Sequence, residues 1–113
     1  MRHTFPMSGS TTANSGVSLS DKMPDMYKQL YAYVSLFTDE ACTIPATTAT
    51  GTLTFTASPD NGDTFYAIDG GVINLATVLS TGIISVNGCV NQLKATFTTV
   101  ANAPYFKIKI VRY

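Results

Sequence analysis

Two stretches of the chain alternate most regularly between apolar and polar positions. Over residues 52–57, Leu53, Phe55 and Ala57 interleave with Thr52, Thr54 and Thr56. Over residues 91–98, Leu93, Ala95 and Phe97 interleave with Gln92, Lys94, Thr96 and Thr98. A period of two with threonine on one side is the pattern of an antiparallel strand with a single face in a core. Residues 105–112 repeat it, with Phe106, Ile108 and Ile110 directed one way and Tyr105, Lys107, Lys109 and Val111 the other. Shorter strands are predicted at 64–68, 72–75 and 83–86. The punctuation between them is strong. Pro59-Asp60-Asn61-Gly62 reads as a tight connection, Asp69-Gly70-Gly71 as a hairpin turn, and Asn87-Gly88 as a second hairpin turn that Cys89 and Val90 lengthen. Residues 76–82 and 100–104 read as a loop and a turn.

Residues 22–37 carry two periods at once. Met23, Tyr27, Leu30, Val34 and Phe37 fall at helical spacing, with Ser20 or Asp21 as a cap and Pro24 near a first turn. Within the same stretch Leu30, Ala32, Val34 and Leu36 alternate with Tyr31, Tyr33, Ser35 and Phe37. Aromatic and β-branched enrichment favours a strand over 29–37, preceded by one helical turn. Such a strand is apolar on both faces, so its tyrosine face needs cover from the chain itself or from another subunit.

Residues 1–20 are rich in Ser, Thr, Gly and Asn and hold few apolar anchors: Phe5, Met7, Val17 and Leu19. This composition predicts an extended N-terminal arm, either packed along its own domain or latched across a neighbour. Residues 21–113 then form the folded unit. Seven or eight short strands with a turn signal about every ten residues predict one all-β antiparallel sandwich, jelly-roll-like in layout.

Composition narrows the function. In 113 residues there are seven basic and seven acidic side chains, a formal net charge of zero, and charged residues make up 12%. Ordinary soluble domains carry about 25%. A neutral, charge-poor surface argues against broad binding to nucleic acid or to an anionic membrane. It also gives little protection against association, which suits a component of an assembly. No apolar run reaches transmembrane length, and the first residues lack the apolar centre of a secretory signal, so assembly in the cytoplasm is expected. Cys42 and Cys89 form no CxxC spacing, and two reduced, buried thiols are favoured over a disulfide.

Catalytic chemistry is sparse. His3 has no carboxylate or cysteine near it in sequence, which leaves no legible triad. Asp60, Asp63 and Asp69 match no calcium loop, because the place of the closing glutamate falls on Gly71, and turn formation accounts for them. No catalytic residue, metal site or cofactor site is expected. Lys107, Lys109 and Arg112 put positive charge on the outer face of the last strand, where cations ordinarily guard a sheet edge against pairing.

From Gly51 onward the chain resembles small β-sandwich virion proteins of tailed bacteriophages. The resemblance rests on the run Gly51-Thr-Leu-Thr-Phe-Thr-Ala-Ser-Pro-Asp-Asn-Gly-Asp-Thr-Phe-Tyr-Ala-Ile-Asp-Gly-Gly-Val-Ile-Asn-Leu75, on Asn91-Gln-Leu-Lys-Ala-Thr-Phe-Thr98 and on the C-terminal strand. It is a likeness of strand texture over residues 50–113. It implies a non-enzymatic structural role, foremost that of a capsid decoration protein reinforcing a coat-protein shell in many copies, with a tail-associated or receptor- or carbohydrate-binding module as the alternative. Coat protein or other virion proteins are then the expected partners, with no nucleic acid and no membrane. The expected contacts are Phe5, Met7 and Val17 of the arm, Tyr31 and Tyr33, and Tyr105, Lys107, Lys109 and Tyr113.

Overall fold

A computed structural model describes residues 3–23, 29–78, 83–87 and 90–113. Among these, eight strands are divided between two four-stranded antiparallel sheets. They are β1 (His3–Ser10), β2 (Val17–Leu19), β3 (Gln29–Phe37), β4 (Thr50–Ser58), β5 (Tyr66–Asn74), β6 (Ile83–Asn87), β7 (Gln92–Ala101) and β8 (Tyr105–Arg112). The first sheet has the order β1-β8-β3-β6 and the second β2-β7-β4-β5. The pairing is that of one long hairpin rolled up. β1 lies on β8, β2 on β7, β3 on β6 and β4 on β5, in alternate sheets, and β3–β8 and β4–β7 pairs join the layers' halves. This is the jelly-roll connectivity, which spends nearly the whole chain on two closed layers.

Alternation decides which side chains the layers bury. Leu30, Ala32, Val34 and Leu36 of β3 and Phe106, Ile108 and Ile110 of β8 face Leu53, Phe55 and Ala57 of β4 and Leu93, Ala95 and Phe97 of β7, all in one core. The Phe97 and Phe106 rings meet at 4.7 Å between centroids, one from each sheet. Burying such rings contributes roughly 1.5–3 kcal/mol each from transfer out of water alone. The strand over 29–37 is therefore as predicted, while the helical turn expected before it lies outside the described residues.

Residues 3–19 do not project as an arm. β1 runs the full length of β8, from His3 opposite Arg112 to Ser10 opposite Tyr105. β2 pairs with β7. Of the two expectations for this segment, packing along its own domain is the one the pairing realises. The turn between the two strands is fixed by Thr11, whose N–H and hydroxyl donate to the carbonyls of Pro104 and Ala103 at 2.9 and 2.8 Å. It ends at Gly16, φ +79°, where a Cβ would stand 2.2 Å from the Phe97 carbonyl oxygen. Only glycine fits there.

Three local readings change. Asp69-Gly70-Gly71 is not a hairpin turn but a bulge within β5. Thr54 pairs with Val72 and Thr56 with Ala67, so residues 68–71 are looped out against one continuous β4. At Gly71 a Cβ would lie 2.9 Å from both the Ile68 and Phe55 carbonyl oxygens. The second hairpin is absent too: β6 pairs with β3 in one sheet and β7 with β2 and β4 in the other, so the Asn87-Gly88 region leads a crossover between layers. Gly88 and Cys89 lie outside the described residues. Leu75–Val78 forms a helical turn where a loop was expected, and Leu75 is fully buried.

β8 is an interior strand between β1 and β3, not a sheet edge. Its cations therefore do not protect an edge. Arg112 belongs to the inward row with Phe106, Ile108 and Ile110 and is fully buried, so it adds no charge to the surface.

Candidate functional site

The strand registers leave each sheet one outer face, and the two faces differ in chemistry. On the first sheet the outward residues fall into cross-strand rows. Thr4, Val111, Tyr31 and Ser85 form one row, and Pro6, Lys109 and Tyr33 the next. Ser8, Lys107 and Ser35 follow, and then Ser10, Tyr105 and Phe37. Tyr113 continues the ladder, exchanging backbone hydrogen bonds with Gln29 at 3.1 and 3.3 Å. Its ring meets that of Tyr31 edge-on, with centroids 5.6 Å apart and planes at 87°, a favoured aromatic geometry. The Tyr31 hydroxyl donates to Gln29 Oε1 at 3.3 Å. Gln29, Tyr31, Tyr33 and Tyr113 together line a shallow concavity of about 210 Å³.

Lys107 and Lys109 are exposed in the middle rows of this face and make no ion pair among the described residues. No carboxylate occupies its described outward positions. The expected contacts Tyr31, Tyr33, Tyr105, Lys107, Lys109 and Tyr113 are thus gathered on one surface by the pairing of β3 with β8, although two thirds of the chain separates the strands in sequence.

The outer face of the second sheet is a threonine surface. Val17, Thr96, Thr54 and Val72 form one row across all four strands, and Thr98, Thr52 and Asn74 another. Leu19 and Val72, at its two sides, are 52% and 68% exposed. The one described cation of this face, Lys94, lies over the Phe65 ring with its Nζ 4.2 Å from the centroid. Such a contact spends part of its charge on the ring. Leu19 and Val72 escaped the sequence reading of contact residues. Single apolar side chains at the polar phase of a strand carry no signal until the register shows their neighbours.

The remaining expected contacts separate. Met7 is buried in the core and Phe5 packs against it, opposite Ile108 and Ile110 of β8. They hold β1 in place. Val17 lies on the threonine face. On the side of the sandwich where β5 and β6 are the sheet edges, Ala57, Tyr66, Ala67, Ile68, Val86 and Val90 border a groove of about 480 Å³.

Carboxylates near one another serve turns. Asp60 Oδ1 accepts from the Ser58 hydroxyl at 2.7 Å and the Thr64 N–H at 2.9 Å, and both bonds hold its pKa below the ordinary 3.8. Asp39 accepts from the Thr43 hydroxyl and from the Ile44 and Thr43 amides, and is likewise lowered. The Asp60 loop is pinned across the end of the sandwich by Asn61 and Asn91, which exchange hydrogen bonds at 3.0 Å in both directions. Cys42 carries a free thiol, half-buried rather than buried, with its Sγ 3.8 Å from the Phe106 carbonyl oxygen.

The fold and its faces define a small all-β jelly-roll protein whose distinctive side chains sit on open sheet surfaces. No known family matches the chain, and no curated protein matches it in sequence. Solved structures share the fold. A chain of the Bacillus endospore appendages, described as disulfide-linked pili, matches 99% of this chain and 86% of its own at 14% identity and a TM-score of 0.52. The SPBc2 prophage-derived protein YomS matches 99% of this chain and 94% of its own at 9% identity and a TM-score of 0.51. Neither is described as an enzyme.

Proposed function

We propose that this protein is a non-enzymatic structural component of a phage particle or related appendage, and specifically a capsid decoration protein. The observation that carries the reading is the threonine face of the second sheet. It is rich in threonine, holds Lys94 as its one described cation and is bordered by exposed Val72, Leu19 and half-buried Val17. With strands about 4.8 Å apart and a rise of about 3.4 Å per residue, the long strands β4, β5 and β7 together with the short β2 present a face of about 500 Å², below the ~800 Å² per partner of a standard interface. One copy then binds weakly, and adhesion to a repeating coat lattice comes from many copies. The likeness to a chain of disulfide-linked endospore pili supports the fold's use in an assembled structure, and the likeness to a prophage-derived protein supports the phage setting.

The test is binding of the purified protein to coat-protein shells. Leu19→Asp and Val72→Asp each place a carboxylate on the proposed contact without touching the core. Each is expected to lower occupancy of shells at least tenfold while the thermal midpoint stays put. Undiminished occupancy by both variants would remove this face from the contact.

A further inference from the structure

The outer face of the first sheet is left unused by that docking, and its chemistry points to a ligand of its own. We infer that it is a binding platform for an acidic polysaccharide. Alternate residues on a strand stand about 6.7 Å apart, so the row from Tyr105 to Tyr113 extends over roughly 27 Å. Beside it runs the parallel row of Gln29, Tyr31, Tyr33, Ser35 and Phe37. Aromatic groups therefore stand at both ends of the strip, Tyr31 and Tyr113 at one and Phe37 and Tyr105 at the other, with Lys109 beside Tyr33 in the middle row and Lys107 in the next.

Each part matches a feature of an anionic sugar chain. Tyrosine rings present flat π surfaces to the C–H face of a pyranose, and the hydroxyl at the ring's tip offers a hydrogen-bonding group to ring substituents. The concavity of about 210 Å³ at Gln29, Tyr31, Tyr33 and Tyr113 is open and shallow, suited to one ring of a longer chain rather than an enclosed ligand. The two lysines stand toward the middle of the strip, exposed, with no ion pair to a described residue and no carboxylate among the described positions of the face. Their charge is complementary to a ligand that brings its own carboxylates. An acidic protein surface offers the same charge, but lysine is depleted from the centres of protein interfaces, where arginine and aromatics dominate. Two lysines at the centre of a tyrosine strip fit a solvated polyanion better.

The experiment is native affinity electrophoresis of the full chain in gels containing polygalacturonate, with dextran and poly-glutamate as parallel probes. Polygalacturonate is expected to retard the protein and dextran to leave its mobility unchanged. Tyr33→Ala and Lys109→Gln should each weaken retardation about three- to tenfold, in the range of one exposed contact. Lys94→Gln, on the opposite sheet, should leave it unchanged. Retardation should also fade as salt rises past about 0.15 M, where exposed charges are screened. Absence of retardation at low salt overturns the inference. So does equal loss for Lys94→Gln and Lys109→Gln, which would mean attraction without a site. Poly-glutamate retardation that survives Tyr33→Ala overturns it in favour of an acidic protein partner. Shell binding through Leu19 and Val72 is read in a separate assay, so failure of either proposal leaves the other standing.

Discussion

Phe106 and Tyr33 sit on strands that pair with each other, one facing inward and one outward, and their replacement separates what folds the protein from what it presents. Phe106 is fully buried on an interior strand, opposite Leu36 in register and 4.7 Å from the Phe97 ring of the other sheet. Replacing it with alanine removes the ring from the seam between the layers and leaves a cavity that interior strands cannot close. The expected cost is about 3–5 kcal/mol, of which roughly 0.5–1.5 is the ring pair itself. A domain of this size has only about 5–15 kcal/mol in hand. With a urea m-value near 2 kcal/mol/M, the midpoint should fall by about 2 M with m unchanged. Tyr33, 38% exposed, should shift stability by no more than about 0.5 kcal/mol when cut to alanine. The assay is equilibrium urea unfolding followed by far-ultraviolet circular dichroism. A loss below 1 kcal/mol for Phe106→Ala, or a loss for Tyr33→Ala as large as that for Phe106→Ala, would refute the assignment of inward and outward faces.

Three further outcomes are expected. Gly16→Ala should destabilise by about 3 kcal/mol, because its φ is +79° and the new Cβ meets the Phe97 carbonyl, combining backbone strain with a clash; thermal unfolding checks it. Asn91→Ala should cost about 1 kcal/mol by removing both hydrogen bonds that tie the exposed Asn61 to the buried Asn91, and hydrogen exchange should show faster opening of the loop after β4. Acidification should weaken the fold through Asp39 and Asp60. Their folded pKa values lie below the ordinary 3.8, so their contribution is present above that value and is lost as pH falls through the lower folded values. Asp60→Asn should flatten the dependence of the urea midpoint on pH in that window, and an unchanged profile would exclude the turn carboxylate as its source.

The long strands were legible because one face of each is pressed into the core, which enforces a period of two. The expected bounds of β3 and β8 are the observed ones, and those of β4 and β7 agree to within a few residues, for that reason. β1 was harder to read. Its inward residues Phe5, Met7 and Gly9 do alternate, but Gly9 is small and Pro6 and the serines between them carry the composition of a loop. Glycine chemistry misled twice, since a residue with positive φ serves a bulge as well as a turn. Asp69-Gly70-Gly71 is a bulge because β4 continues past it, a fact about the partner strand that local sequence does not hold. That β6 and β7 lie in different layers is likewise set by their partner strands, which the local signal at Asn87 does not hold. The tyrosines and lysines of the first sheet were identifiable one by one, whereas their union on one surface required the β3–β8 register. Arg112 was assigned to the wrong face although its parity with Phe106, Ile108 and Ile110 placed it inward. A positive charge was allowed to outweigh the period.

The two outer faces suggest a division of labour. One is rich in threonine and poor in charge, suited to a lattice, and the other carries aromatic rings and the exposed Lys107 and Lys109, suited to a solvated polyanion. The central claim is that this sandwich is a repeated part of an assembled particle. An electron-microscopy map of the purified particle tests it most directly. The account predicts density for the sandwich at symmetry-related positions on the shell, with β2, β4, β5 and β7 toward the coat protein and Tyr33 toward solvent. Particles that lack this density, or that seat the tyrosine face on the coat protein, would contradict it.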